Sequence, residues 1–313
     1  MDVISVTVLE RNSIMKKVKI IIDSCGDLRS DLLEKYDIDF AKMCTVHEGV
    51  STPALITWSA EEAHEFYSSI RAGKRITTAQ VPVEEFVHIF EEYLKQDMDI
   101  VYVACAAKQS GSVNTAAVVK AKLEKEYPDS YIACIDSKNT SVGIGMLAIR
   151  AAELAAEGKS AKEIEEEIIA IRKTVLQYVT VHSLDALRRA GRVKASAAFF
   201  GNLMGVKPIL IADVDGAQAA YKKVKGRATS FREIVALLKE HIVDPEKQTV
   251  YVAHSDCSKE EVEAVVSMVK AEINCKDVVV SYINPIVGAS VGPDTIGVWA
   301  FGDEVTFRAG DTK

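Results

Sequence analysis

The stretch IVYVACAAKQSGSVNTAAVVKAKLEKEYP, residues 100–128, decides the fold. An apolar run over Ile100–Cys105 predicts a buried strand, which ends at the polar turn Lys108–Ser112. Residues 113–127 then follow a helical pattern, and Pro128 ends it because proline cannot continue a helix. A strand, a short turn and a helix of this length form one unit of the alternation that builds a parallel sheet.

The same alternation extends to both sides of this stretch. Strands are predicted over Val18–Ile22 and Tyr131–Ile135, and amphipathic helices over residues 59–72 and 83–96, with a further helix from about Gly143. The first half of the chain is therefore predicted to form a three-layer α/β unit around a parallel sheet.

Three polar, hydroxyl-rich loops follow the three strands, namely Asp23–Ser24, Lys108–Ser112 and Asp136–Ser141. Ligands of parallel sheets bind outside the carboxyl ends of the strands. The sequence therefore predicts that these loops converge on one binding site.

The second half of the chain has a different pattern. A charged helix over residues 159–177 is predicted to bridge the halves, and short strands then mix with helices over residues 230–243 and 258–273. The strands are predicted at Tyr178–His182, Pro208–Ile211, Gln218–Val224, Thr249–His254, Val278–Ile283 and Thr295–Phe301. This pattern indicates an α/β domain over residues 16–172, a smaller α+β domain over 173–313, and a short N-terminal extension, residues 1–15.

Composition excludes several classes of protein. The 313 residues carry a formal net charge of -7 with scattered basic pairs, which disfavours binding to nucleic acid. No apolar run is long enough to span a bilayer, and a secretory signal pattern is absent. The six cysteines show no zinc spacing and are expected to be buried, reduced thiols of a cytoplasmic protein. No nucleotide-binding or nucleophile-elbow motif occurs, so neither a cofactor nor a catalytic residue is predicted.

Four candidate positions allow two interpretations each. Ser110, with Gly111 allowing close approach of a ligand, could form an anion site at a helix N-terminus, or it could cap that helix, as could its neighbour Ser112. Thr78 allows the same two interpretations. Asp23 could act as a base or metal ligand, or could order its own loop. Arg192 could lie in a solvated turn or face an anion.

Eight short motifs occur in an order that is typical of one family. They are Asp23–Asp27, Thr78–Val81, Ala106–Val113, Asp136–Ser137, Leu187–Val193, Lys207–Leu210 with Asp215–Gly216, Lys223–Arg227 and Gly288–Asp294. From about Val18 to Phe301 the chain thus resembles the DegV family of fatty-acid-binding proteins.

The resemblance implies a lipid carrier and not an enzyme. A long-chain fatty acid would be held with its carboxylate at Thr78 and Ser110, beside Gly111, Ser24, Arg192 and Ser290, and its tail in a tunnel that the second domain closes. A fatty-acid kinase is the implied partner, which would convert the presented acyl group into an acyl phosphate for phospholipid synthesis.

The chain departs from the family pattern at several positions near this site. Ala79, Ala106 and Ala107 replace serines, Ser290 replaces a histidine, and Asp294 replaces a glycine. The retained Thr78 and Ser110 favour fatty-acid binding. Two alternatives remain open, a subunit that takes part in acyl-phosphate formation and a binder of a different small anion.

Overall fold

The computed structural model describes residues 16–182, 185–194 and 205–309, and the predicted extension over residues 1–15 lies outside these ranges. The strands are β1 (Val18–Asp23), β2 (Ile38–Ala41), β3 (Cys44–His47), β4 (Val50–Pro53), β5 (Thr77–Ala79), β6 (Asp99–Ala104), β7 (Ile132–Asp136), β8 (Val175–Thr180), β9 (Val193–Lys194), β10 (Val206–Ala212), β11 (Gln218–Lys225), β12 (Thr249–His254), β13 (Asp277–Tyr282) and β14 (Ile296–Phe301). The helices are α1 (Ser30–Lys35), α2 (Ala60–Arg71), α3 (Val83–Leu94), α4 (Ser112–Glu126), α5 (Val142–Ala156), α6 (Ala161–Ile171), α7 (Asp185–Ala190), α8 (Arg227–His241), α9 (Lys259–Glu272) and α10 (Pro285–Val291).

The first sheet is parallel throughout, with the strand order β2-β1-β6-β7. Its strands consist largely of β-branched residues that are buried, as parallel sheets covered on both faces require. Helix α3 packs on β6 through edge contacts of the Phe86 and Phe90 rings with Tyr102. The predicted α/β unit with a parallel sheet is thus confirmed.

The second sheet is mixed, with the order β13-β12-β14-β8-β10-β11-β9. Side chains on one of its faces, including Val179 and Trp299, belong to the same apolar core as Ile21 and Val101 of the first sheet. A second apolar cluster, which includes Ile234 and Val252, packs around α8 and α9. Because the first core runs across residue 172, the division into two domains at that point stays a prediction.

A small antiparallel sheet with the order β4-β3-β5 stands beside the large ones. It places Thr78 opposite Thr45 in register. Among the described residues, no helix combines the length and the hydrophobicity needed to cross a membrane.

Several elements, among them α1 and β2 to β5, were not predicted, and two further differences concern the second half of the chain. The helix predicted over residues 159–177 ends at Ile171, and β8 begins at Val175. The capping box of Ser160 and Glu163 starts the helix as its sequence suggests, but the β-branched and aromatic run after Thr174 pairs with β14 and β10 instead. Helix α10 is not in the prediction, although Asn284 followed by Pro285 is a recognisable helix start.

The buried carboxylate of Asp23 joins the carboxyl ends of β1 and β6. Its Oδ2 accepts hydrogen bonds from the Tyr102 hydroxyl (2.7 Å) and the Cys105 amide (2.8 Å), and its Oδ1 accepts one from the Cys25 amide (3.0 Å). Burial raises the pKa of Asp23, while these three donors act in the opposite direction. Of its two interpretations, ordering its own loop is therefore the correct one.

We expect Asp23→Ala to lower the free energy of unfolding by roughly 3–5 kcal/mol, because three buried donors lose their acceptor. Urea denaturation of the purified variant measures this difference. The exposed Asp129→Ala is the matched control and should change stability by less than about 0.5 kcal/mol. An Asp23→Ala variant as stable as the control would contradict the assigned role.

Candidate ligand-binding site

A cavity lies between the carboxyl ends of the first sheet and the facing side of the second sheet. Its walls come from the strand-end loops, from β8, β10, β11 and β14, and from α7 and α10. Four of the six predicted site residues line it, namely Thr78, Ser110, Arg192 and Ser290. Two of the three predicted strand-end loops meet at this cavity, through Gln109 and Ser110 and through Thr140 and Ser141, and Cys25, directly after the third loop, lines it as well.

The cavity opens into a groove on the surface. The cavity has a volume of about 70 Å³ and the groove about 590 Å³. Thr78, Arg192 and Ser290 line both, so they mark the mouth of the cavity. The groove also contains basic residues, namely Lys74, Arg75 and Arg189. An anion at this mouth would thus lie beside hydroxyl groups and positive charge.

Ser110 stands immediately before the N-terminal end of α4. The helix begins at Ser112 and its N-cap is Gly111, without a capping side chain, so the interpretation of Ser110 or Ser112 as the N-cap is wrong. Ser110 Oγ accepts a hydrogen bond from the Ser112 amide (3.2 Å) and shares one with Ser112 Oγ (2.9 Å). Ser112 Oγ in turn accepts from the Val81 amide (3.2 Å), which ties the loop before α3 to the start of α4.

Thr78 lies in β5 and does not cap a helix. The N-cap of α3 is Pro82, which offers no side-chain hydrogen bond. The capping interpretation of Thr78 is therefore wrong. Its hydroxyl is half-buried at the cavity mouth, and within the described ranges it has no hydrogen-bond partner.

Ser24 and Gly111 lie next to the cavity but do not line it. Ser24 is fully buried, and its Oγ accepts a hydrogen bond from the Met43 amide (2.8 Å), which holds β1 to the segment before β3. A Cβ atom added to Gly111 would stand 2.1 Å from Oε1 of Gln80. The group that comes close to Gly111 in the structure is therefore the Gln80 side chain.

Arg192 and Asp294 have different surroundings. Arg192 is exposed at the mouth, and its Nη1 donates to the Ala190 carbonyl oxygen (2.6 Å). Asp294 forms an ion pair with Arg71 (2.6 Å) and does not line the cavity. The carboxylate of Asp294, which stands where the family has a glycine, is thus paired with Arg71 and is not part of the cavity lining.

Sequence reasoning missed several polar residues of the cavity wall. Gln109 follows Lys108 in a predicted loop and could have been named from that position. Gln177, Gln218 and Trp299 lie in strands, where alternation alone cannot show which face carries a ligand. The described residues contain no group of three or more His, Cys, Asp or Glu side chains that could hold a metal ion.

A buried carboxylate, Asp27, joins three segments beside the cavity. Its Oδ1 accepts hydrogen bonds from the amide (2.8 Å) and the side-chain Nδ2 (2.5 Å) of Asn284, and its Oδ2 accepts one from the Ser141 hydroxyl. Asn284 is the N-cap of α10, and Ser141 precedes α5 with a positive φ of 57°. Burial raises the pKa of Asp27 to about 7, against the opposing effect of these donors.

The pKa of Asp27 predicts a pH-dependent stability. Because the folded value of about 7 lies above the unfolded value near 3.8, folding favours the protonated acid. Its contribution is complete below about pH 4 and is lost as the pH rises through about 7. Asp27→Asn resembles the protonated acid and does not titrate. We therefore expect the stability of Asp27→Asn relative to the wild type to be a few kcal/mol higher at about pH 8 than at about pH 5.

Urea denaturation of both proteins at the two pH values measures this change. Asp129→Asn, on the surface, serves as the control for the general pH dependence of the chain. A stability difference between wild type and Asp27→Asn that stays constant with pH would show that Asp27 does not titrate in this range.

The fold and the cavity define a class of protein, a parallel-sheet α/β unit that closes a ligand cavity against a second, mixed sheet. A family model described as an uncharacterised protein of the DegV family matches residues 17–303. A DegV domain-containing protein of Clostridium perfringens is 33% identical over 290 residues, which cover 92% of this chain and 99% of that protein. The chain belongs to the DegV family.

Solved structures share the same fold. A DegV lipid-binding protein from Thermotoga maritima superposes with a TM-score of 0.80 at 27% identity, covering 92% of this chain and 99% of that one. A second Thermotoga maritima protein, described as revealing a fatty-acid-binding function, has a TM-score of 0.78 at 27% identity, with 92% and 100% covered. The predicted family and fold class are thus confirmed.

Proposed function

We propose that this chain binds a long-chain fatty acid, with the carboxylate at the cavity mouth and the tail inside. The observation that carries the proposal is the meeting of Thr78, Ser110, Arg192 and Ser290 around one cavity. The description of the related Thermotoga maritima structure as fatty-acid binding supports it. The chain would act as a binding subunit of the cytoplasm and not as an enzyme.

The hydrogen bonds around Ser110 support its role as a donor to the carboxylate. When Ser112 donates its hydroxyl proton to Ser110, the Ser110 oxygen accepts two hydrogen bonds, from the amide and the hydroxyl of Ser112. Its own proton is then left for a ligand. The adjacent N-terminal end of α4 adds a positive partial charge, which favours an anion at this point.

The hydroxyls of Thr78 and Ser290 supply further donors at the mouth. Neither has a partner in the described part of the chain, so both can bond a ligand without breaking an internal hydrogen bond. Ser290 stands where the family has a histidine, so a neutral hydroxyl replaces a group that can carry a positive charge. Arg192 supplies the positive charge that remains at the mouth.

The variant Thr78→Val/Ser110→Ala tests the position of the carboxylate. Loss of charge-assisted hydrogen bonds should weaken fatty-acid binding by roughly 1–3 kcal/mol, or about 5- to 150-fold in Kd. Fluorescence titration or calorimetry with a long-chain acid measures this. Thr52→Val, on the exposed strand β4, is the control and should bind like the wild type. Unchanged affinity in the double variant would place the carboxylate elsewhere.

The ligand itself can be identified by organic extraction of protein purified from cells and mass spectrometry of the extract. We expect a long-chain acid in about one copy per chain, and its tail should contribute about 0.8 kcal/mol for each buried CH₂. The proposed function would be refuted if the extract contained no fatty acid and titration with long-chain acids showed no binding.

The volume of the cavity favours one alternative, a smaller anion. A volume of about 70 Å³ corresponds to roughly two water molecules at liquid density, so a long tail requires the lining side chains or α10 to move outward. A short-chain acid would fit without that movement. Affinity that rises steadily with chain length supports the long-chain ligand, and affinity that is greatest for the shortest acids supports the alternative.

The basic groove supports a proposal about the partner, a fatty-acid kinase that phosphorylates the presented carboxylate. Lys74, Arg75 and Arg189 lie in the groove beside the mouth, where an acyl phosphate would carry additional negative charge. Phosphoryl transfer depends on such positioned charge. In this arrangement the kinase supplies the phosphoryl group from ATP, and this chain supplies the substrate.

A charge reversal tests the role of the groove. Arg75→Glu should slow the ATP-dependent formation of acyl phosphate by a fatty-acid kinase roughly 10-fold or more, with little effect on the binding of the free acid. Trapping the product with hydroxylamine measures the rate. Arg232→Glu, on the exposed side of α8, is the control. Equal rates for the two variants would argue against docking at this groove.

A further inference from the structure

A chain of polar side chains lines the part of the cavity wall that the groove does not share. Gln177 Nε2 donates to Gln218 Oε1 (2.6 Å), and Gln218 Nε2 donates to Thr140 Oγ1 (3.2 Å). All three residues line the cavity and are buried, with exposed fractions of 5%, 8% and 8%. A wall built only to hold a hydrocarbon tail would have no use for this chain of amides.

Two polar atoms of this wall have no hydrogen-bond partner among the described residues. They are Oε1 of Gln177 and Nε1 of Trp299, and Trp299 is only 1% exposed. Buried polar groups of native proteins are nearly always paired, so two such atoms in one cavity wall point to a group that pairs them. One is an acceptor and the other is a donor.

The two side chains are neighbours in the second sheet. Gln177 of β8 and Trp299 of β14 are directly opposite each other in an antiparallel pair, so both side chains stand on the same face. Cross-strand neighbours have Cβ atoms roughly 4.5–5.5 Å apart. Both side chains therefore start close together on one face of the sheet, and both line the cavity.

Given the proposed function, on which this step rests, we infer that the acyl chain held in this cavity carries a hydroxyl group along its tail. The hydroxyl accepts a hydrogen bond from Trp299 Nε1 and donates one to Gln177 Oε1. The ligand class is thus a hydroxylated fatty acid and not an unsubstituted one. An unsubstituted chain would cover both polar atoms with hydrocarbon and leave them unpaired.

The inference does not depend on how the two glutamine amides are oriented. If both are turned over, the Thr140 hydroxyl donates to Gln218, Gln218 donates to Gln177, and an N–H group of Gln177 is left over. Trp299 and Gln177 then both present donors. A hydroxyl oxygen has two lone pairs and can accept from both, so it suits either orientation, whereas a carbonyl suits only the second.

Titration of the full chain with stearic acid and with a set of monohydroxystearic acids tests the inference. The hydroxyl position varies along the set, because the structure fixes the pairing atoms but not their distance from the carboxylate. We expect at least one hydroxylated acid to bind about 10-fold or more tightly than stearic acid. If stearic acid binds as tightly as every hydroxylated acid, the inference is wrong while the proposed function stands. If no acid binds, the proposed function itself fails.

Two variants test whether the preference for a hydroxylated acid arises at Trp299 and Gln177. Trp299→Phe removes the indole N–H and keeps an aromatic ring, and Gln177→Met removes both amide atoms at similar volume. In each, the affinity ratio between the preferred hydroxylated acid and stearic acid should fall to about 1. Trp58→Phe is the control, because the Trp58 indole also has no partner in the described chain but lies outside the cavity. The affinity ratio of this variant should equal that of the wild type.

The affinity ratio also distinguishes loss of the hydroxyl contact from weaker carboxylate binding and from general loss of structure. Thr78→Val/Ser110→Ala should weaken the binding of both acids by the same factor, because both share the carboxylate. A ratio that persists in Trp299→Phe and in Gln177→Met, with both variants folded by circular dichroism, would overturn the assignment and leave the two polar atoms to an internal water.

Discussion

The hydrogen-bonded carboxylate of Asp27 is the constraint on which the cavity depends. It connects the loop after β1 to the first residue before α5 and to the N-cap of α10. Ser141 has a positive φ, for which serine has no intrinsic preference, and this contact and the backbone hydrogen bonds of Ser141 with Cys25 and Asp27 hold it. Gly145 lets α5 approach the same loop, since a Cβ atom there would stand 2.6 Å from the Leu28 side chain. These contacts thereby join segments of the two large sheets beside the cavity that lies between them.

Neither Thr78 nor Ser110 is the N-cap of the helix that follows it. The N-cap residues of α3 and α4 are Pro82 and Gly111, and neither has a capping side chain. Where helices in this chain are capped by serine, as at Ser59 and Ser160, the hydroxyl is occupied by a backbone amide. Thr78 therefore keeps a hydroxyl without a partner among the described residues, whereas Ser110 bonds the amide and hydroxyl of Ser112 at the positive end of α4.

Local patterns predicted the parts of the fold that local forces determine. The apolar runs at Val18–Ile22 and Ile100–Cys105 and the helix before Pro128 needed only periodicity and a terminator, and they lie where expected. The helix predicted over residues 159–177 failed after Ile171 because pairing of β8 with two strands from later in the chain outweighs helix propensity. Thr78 and Ser110 are predicted as ligand residues from their family motif, since spacing alone suggests capping. Gln177 and Trp299 could not be found this way, because their pairing exists only in the folded sheet.

The mouth and the wall of the cavity differ in what an unpaired hydrogen-bonding atom costs. At the mouth, half-exposed hydroxyls can bond water when no ligand is present, so an unpaired Thr78 costs little. In the wall, Gln177 and Trp299 are shielded from solvent, so each unpaired atom costs stability in every state that leaves it covered by apolar groups. Under the proposed function, affinity for a carboxylate would therefore be general among acids, whereas the wall would discriminate between tails. Within one cavity, the hydroxyls would set the class of ligand and the buried amides and indole would select the member of that class.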